Sequence, residues 1–346
     1  MAAGPQHDPI KSTPRGEAML DYPSRRALLR AGLVASVAAP FTARAAQAWP
    51  TKPVRIICAF PAGGITDAYA RVYGEYIAQK SGQTVVVENR AGAGGGLGAQ
   101  ALLSSPDDGH TLMITISSTM LGNRVMYKTL PYDPDKDFAF LAMMSTGHLP
   151  LVVQKSVGAK TLPDFIEYTR RNRVSFGSYA AGSFAHIAGF ELNRRANLDM
   201  TIVNYRGEAP MWQDLLTGSS QAAVGSYSAA KGVLDAGAGI AIAVPTTKRM
   251  KTLPDVPTYA EQGFTDKVFD LMSWAGFFGK ASMPPDMVET ISGLMVEAGK
   301  TERIQRLIAT FGIDEAAQDH RAFRRIYETE GPIWLDHLNK LGLTPS

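Results

Sequence analysis

At 346 residues and 45% hydrophobic content, the chain is long enough for about two domains and apolar enough to bury a sizeable core. Its formal net charge of +3 comes from residues 1–48, which hold six basic and three acidic groups. Subtracting these from totals of 35 and 32 leaves 29 of each sign in the rest. A formally neutral body argues against a nucleic-acid partner, and a single cysteine, Cys58, excludes an internal disulfide.

The first segment reads as a leader. Ser24-Arg25-Arg26-Ala27-Leu28-Leu29-Arg30 is a twin-arginine sequence between a long polar stretch and a short apolar one, Ala31 to Ala39. The apolar stretch is far below the roughly 20 residues that span a bilayer. Small-residue cleavage sites follow at Ala43-Arg44-Ala45 and Ala46-Gln47-Ala48. Residues 1–48 are therefore expected to be a twin-arginine-type signal peptide, and no later segment is apolar enough to cross a membrane.

The body then alternates strands and helices. Pro53 to Phe60 reads as a buried strand that includes Cys58, and Pro61-Ala62-Gly63-Gly64 breaks it. Thr66 is the expected N-cap of a helix with Asp67 in its first turn, and Gly82 is its stop. Thr84 to Glu88 is a second strand, Asn89 to Gly98 a glycine-rich turn into a helix, and Thr111 to Ile116 a third strand. Strands follow at Leu149 to Gln154, Val174 to Gly177, Ile202 to Tyr205, Ala222 to Gly225, Ile240 to Val244 and Met272 to Phe278. Helices are expected over His186 to Arg195, Pro210 to Leu216, Pro285 to Gly299, Glu302 to Thr310 and His320 to Leu341. This alternation predicts an α/β fold with a mostly parallel sheet.

One device recurs. The loops Pro61–Asp67, Ala91–Gly98 and Ser178–His186 each put glycine or small hydroxyl residues directly before a helix. Free N–H groups and the helix dipole favour an anion there, and glycine lets a ligand approach the backbone. Several such ends on one crevice would hold a carboxylate without a buried arginine.

Enzyme signatures are thin. Gly94, Gly96 and Ala99 fit G-x-G-x-x-A, but in the second βα turn and without the acidic ribose contact that a dinucleotide site needs. The six histidines show no zinc-ligand spacing, and there is no G-x-S-x-G elbow. Ser183 and His186 read as a capping serine beside a packed histidine. Trp274 is open to two readings, cleft wall or core. No cofactor, metal or catalytic residue is expected.

Taken in order, the segments WPTKPVRIICAFPAGGITDAYAR, GQTVVVENRAGAGGGLGAQ, PDDGHTLMI, LPYDPDKDF, FGSYAAGSFAHIAGFEL, VNYRGEAP, DLLTGSSQAAV and LPDVPTYAEQGF make the chain from Trp49 onward resemble the Bug (TctC-type) solute-binding proteins of tripartite tricarboxylate transporters. The resemblance implies a periplasmic-binding-protein-like fold: two α/β lobes, a ligand cleft and crossing hinge strands. Lobe 1 would comprise 49–148 and 272–346, and lobe 2 would comprise 149–271. It implies a periplasmic receptor, monomeric, that captures a small organic carboxylate and delivers it to integral membrane permease subunits. A sensor subunit presenting ligand to a signalling kinase, or an exported carboxylate-processing enzyme, are the alternatives.

In this family backbone amides of the glycine loops typically hold the ligand carboxylate. The expected contacts are Ala62, Gly63, Gly64, Thr66 and Asp67 in the first loop, Gly92 in the second and Ser117 after the third strand. From the other lobe come Ser178, Gly182 and Ser183, then Ser226 and Tyr227, with Trp274 on the returning strand. Ala62 replaces the family's usual second proline, and Arg206 replaces the lysine of its Tyr-Lys-Gly. Gly225-Ser226-Tyr227-Ser228 departs from the usual acidic or Asn-bearing versions, so the ligand's identity is not inherited.

Overall fold

The computed structural model describes residues 49–345 except Met272 and Asp314, together with Met1 and Gly4. The expected signal peptide lies outside the described residues. Eleven strands are found among the described residues, in two sheets that share one compact unit.

The first sheet has the order β11-β4-β10-β3-β1-β2. Its members are β1 (Val54–Cys58), β2 (Val85–Asn89), β3 (Thr111–Ile116), β4 (Phe138–Ser145), β10 (Trp274–Lys280) and β11 (Gln318–Asp319). The second sheet has the order β7-β6-β8-β5-β9. It holds β5 (Leu151–Gln154), β6 (Ser175–Ser178), β7 (Thr201–Asn204), β8 (Ala222–Val224) and β9 (Gly239–Ala243). The chain thus crosses between sheets twice, after β4 and after β9.

The expected parallel pairing holds for β1 with β2 and β3, and for β6 with β7 and β8. It fails at β10, which runs antiparallel to both β3 and β4, at β5, antiparallel to both β8 and β9, and at β11, antiparallel to β4. β5 and β10 are each the first strand after a crossing, and each runs against the strands it pairs with.

Strand alternation sorts side chains between the two faces of the first sheet. Ile56 and Cys58 of β1 join Ala275 and Phe277 of β10 in one apolar cluster; Ile57 joins Trp274 and Phe278 in another, which also holds Val153 and Phe176 of the second sheet.

The helices are α1 (Ile65–Ser81), α2 (Gly96–Leu103), α3 (Asn123–Met126), α4 (Leu162–Arg171), α5 (Phe184–Ala196), α6 (Glu208–Thr217), α7 (Tyr227–Asp235), α8 (Pro285–Gly299), α9 (Glu302–Thr310) and α10 (His320–Lys340). A π turn, Ser118–Gly122, leads directly into α3. Gly82 ends α1 as expected: it is left-handed, and its N–H bonds the Ala78 carbonyl at 2.9 Å.

The start of α1 differs from expectation. Gly64 occupies the N-cap, and the helix begins at Ile65. Thr66 is inside the first turn, not its cap. Asp67 reaches back from that turn to accept the Gly63 N–H at 3.0 Å, tying the residue before the N-cap to the helix. β4, the turn 118–126, α4 and α7 were not assigned from the sequence.

Candidate functional site

A cleft of about 560 Å³ opens between the two sheets. Phe60, Ile65 and Ser117 form part of its wall on the first-sheet side. Ala180, Ser183 and Ser226 face them from the second, and Thr146 and Ser273 on the two crossings lie between.

Helical segments that begin at this wall include α1 at Ile65, the π turn at Ser118, α5 at Phe184, α6 at Glu208 and α7 after Ser226. Two of these ends are capped by a serine side chain. Ser183 caps α5 by accepting the His186 N–H at 3.3 Å, and Ser226 caps α7 by accepting the Ala229 N–H at 3.4 Å. Gly64 and Ser117 make no side-chain cap. Uncapped N-terminal N–H groups in the first-sheet half are donors for an anion.

The first loop is braced from behind. None of the five expected first-loop contacts is a wall residue: Ala62, Gly63 and Gly64 are exposed and Thr66 and Asp67 are buried, although Phe60 and Ile65 on either side of the loop do line the cleft. Asp67 receives the Gly63 N–H, the Arg71 guanidinium at 2.9 and 3.0 Å, and Asn89 Nδ2 at 2.9 Å. Burial alone would raise its pKa; these donors outweigh it and hold the carboxyl at about 2. Asn89 also donates to the Phe60 carbonyl at 3.0 Å, so the end of β2 pins the loop after β1. Gly63 has φ +90°, which only glycine adopts without strain.

In the second loop Gly94, not Gly92, reaches the wall. Gly92 is turned into the loop, where its carbonyl accepts the N–H groups of Gly95 and Leu97. Asn123 and Thr119 both donate to the Gly94 carbonyl, at 3.2 and 2.7 Å.

On the second-sheet side, Gly182 and Ser183 line the cleft as expected. Ser178 does not. It is fully buried, and its hydroxyl bonds the Ala180 carbonyl at 2.8 Å and Ser183 Oγ at 3.0 Å, bracing the loop from within. Ser226 lines the cleft. Tyr227 does not, though its neighbour Ser228 does; the Tyr227 N–H donates to the His148 carbonyl.

Trp274 belongs to the core. It is 1% exposed and packs edge-on to Phe323 with ring centroids 4.9 Å apart, because its position on β10 faces α10. The Ser183–His186 pair is not a nucleophile and base: Ser183 Oγ accepts the His186 backbone N–H, and the imidazole Nδ1 accepts the Gly182 N–H at 3.2 Å. Burial lowers the His186 pKa, which favours that neutral acceptor.

Of the wall residues that the sequence reading did not name, two carry polar groups of particular interest. Glu208, the first residue of α6, points its carboxylate at the start of α7: Oε1 accepts the Ser226 N–H at 3.0 Å and Oε2 the Ser226 hydroxyl at 2.6 Å. The helix was expected from Pro210, two residues after its actual start, and nothing local tied Glu208 to Ser226. Trp334 on α10 also lines the cleft; it is 5% exposed and its Nε1 has no hydrogen-bond partner. An amphipathic C-terminal helix gave no sign of which turn would reach the cleft.

No lysine, arginine or histidine lies in the wall among the described residues, and Glu208 is its one carboxylate there. Burial and the nearby Glu208 charge hold the Tyr179 phenol well above its ordinary pKa. Among the described residues no group of three His, Cys, Asp or Glu could hold a metal ion, and no helix is long and apolar enough to cross a membrane.

Comparison with known proteins matches residues 69–343 to the tripartite tricarboxylate transporter family receptor. BugT of Bordetella pertussis is 30% identical over 281 residues, 80% of this chain and 85% of that protein. Among solved structures, Rpa4515 of R. palustris with adipate is 28% identical, with a TM-score of 0.73 over 86% of this chain and 100% of that one. MatC from Rhodopseudomonas palustris with bound malate is 26% identical, with a TM-score of 0.67 over 84% and 100%.

Proposed function

The chain belongs to the family of tripartite tricarboxylate transporter receptors, and on that premise we propose that it is a periplasmic, monomeric receptor for a small organic carboxylate, not an enzyme. Residues 1–48 serve as a twin-arginine signal peptide. Residues 49–148 with 272–346 form lobe 1, residues 149–271 form lobe 2, and the loaded receptor delivers its ligand to the permease subunits.

The observation that carries this reading is the convergence of several helix starts on one cleft, with those of α1 and the π turn on the first-sheet side lacking a side-chain cap. Those N–H groups suit a carboxylate, and no cation in the described wall competes for that role. The Trp334 indole N–H adds a donor that lacks a protein partner. Support also comes from the similar structures that hold adipate and malate. Closure of the lobes on the ligand would shift a hinge equilibrium.

A thermal-shift screen of the mature protein tests it, using monocarboxylates, dicarboxylates and ammonium carboxylates. A ligand at 100 times its Kd stabilises the folded state by about 2.7 kcal/mol, so a binder must raise the melting temperature. Absence of stabilisation by every acid sinks the reading.

A further inference from the structure

We propose that the ligand carries, besides its carboxylate, a protonated amine that Glu208 receives, so that the cleft selects ammonium carboxylates over dicarboxylates. This rests on the carboxylate-receptor reading and narrows its substrate class.

Glu208 is held in place. Its two oxygens accept the Ser226 N–H at 3.0 Å, the Ser226 hydroxyl at 2.6 Å and the Trp212 indole N–H at 3.3 Å. Trp212 sits one turn along α6, and Ser226 starts α7, so both anchors belong to regular structure. A carboxylate offers about four acceptor sites. Three are used, and the group remains part of the cleft wall. It already occupies the anion-favouring start of α7, the position that a ligand's second carboxylate would otherwise take.

No cationic side chain in the described wall neutralises this charge, since it contains no lysine, arginine or histidine. A dicarboxylate with one end at the uncapped starts of α1 and the π turn would bring its other end toward a fixed like charge. Like-charge juxtaposition is a means of rejecting wrong ligands. An ammonium group reverses the sign and fills the vacant acceptor position. The two ends of the cleft therefore ask for opposite charges on one small molecule.

The test is calorimetric titration of the intact mature protein and of Glu208→Gln at pH 7. The probes are matched pairs: 4-aminobutanoate against succinate, 5-aminopentanoate against glutarate, 6-aminohexanoate against adipate, and 4-(aminomethyl)benzoate against terephthalate. In the wild type the best-bound amine should exceed its matching diacid by about tenfold or more. Glu208→Gln should shrink that ratio by about tenfold, by weakening the amine and strengthening the diacid. A wild type that prefers the diacid overturns the inference, as does a ratio that Glu208→Gln leaves unchanged; the carboxylate reading survives either result. Binding of no acid in either series removes both. The wild-type preference does not depend on a variant, so it decides even if Glu208→Gln folds poorly.

Discussion

His337 on α10 bonds the fully buried carboxylate of Glu191 on α5, Nδ1 to Oε1 at 2.8 Å. Arg194 and Arg195 complete the shell around the same carboxylate, at 2.8 and 3.1 Å to Oε2. The C-terminal helix, which also packs Phe323 against Phe140 of the first sheet, is thereby fastened to a helix of the second-sheet half.

That junction sets an acid limit. Burial alone would raise the Glu191 pKa, but the hydrogen bonds from Arg194 and His337 outweigh it and hold the carboxyl below its ordinary range. A depressed native pKa gives stability that is present above the unfolded value, about 4.3, and lost as pH falls through the native one. Glu191→Gln should destabilise by about 3 kcal/mol at pH 7 and should flatten the fall in stability below pH 4. Urea unfolding at pH 7 and pH 4 measures both.

Asp67 is a second such group. With its carboxyl held at about 2, it contributes about 2 kcal/mol, fully present above about pH 5 and lost as pH falls through about 2. Asp67→Asn should lose most of this at neutral pH and weaken carboxylate binding, because Gly63 is no longer tied. Equal affinity in wild type and variant would mean that the first loop does not contact the ligand.

Gly63 and Gly64 should respond differently to the same change. Gly63→Ala forces a side chain into φ +90° and should destabilise by about 1–2 kcal/mol. Gly64 has an ordinary φ of −83°, and an added Cβ meets only the Pro61 carbonyl at 4.0 Å. Gly64→Ala should leave stability within about 0.5 kcal/mol. Gly64→Val should still fold yet lower affinity, measured by titration with the best-bound acid of the screen.

Trp334→Phe keeps an aromatic wall but removes the unpartnered N–H. Stability should stay level or rise by about 1 kcal/mol, because a buried unsatisfied donor is removed. Affinity for a carboxylate should fall by about 1–2 kcal/mol. Opposite signs in unfolding and titration identify the indole as a ligand donor; matched losses would make it only a packing residue.

Trp274→Ala should destabilise by about 3–5 kcal/mol by opening a cavity beside Phe278, Phe323 and Tyr327. Trp274→Phe at saturating ligand should retain wild-type affinity, since the ring does not reach the cleft.

Period and punctuation carried the fold far. Short apolar runs bounded by turn residues marked β1 and β3, glycine marked the end of α1, and proline marked the start of α8. The run Phe138–Ser145 hid because FAFLAMMS is apolar throughout: β4 is buried on both faces, so it shows no alternation, and its Leu, Ala and Met also suit a helix. α7 hid after the strand expected over Ala222 to Gly225, where no helix was assigned although Ser226 is its N-cap. α4 had a legible capping box, Thr161 with Asp164, that went unread. In the site, small residues before helices were legible because one local signal defines them. Ser178 and Trp274 were misplaced because burial within a loop, and the face of a strand, depend on partners distant in sequence. Glu208 with Ser226 is the same case in reverse: two helix starts meet only after β8 has paired with β5 and β6.

β10 lies between β3 and β4, so those two strands never touch each other in the ladder. A nascent chain that has reached only residue 145 therefore carries two open strand edges facing a gap. The missing strand arrives after the whole second sheet has been synthesised. No N-terminal fragment can complete the first half, and early unfinished chains present adhesive edges. The architecture thus makes the order of synthesis differ from the order of completion: the part begun first is finished last.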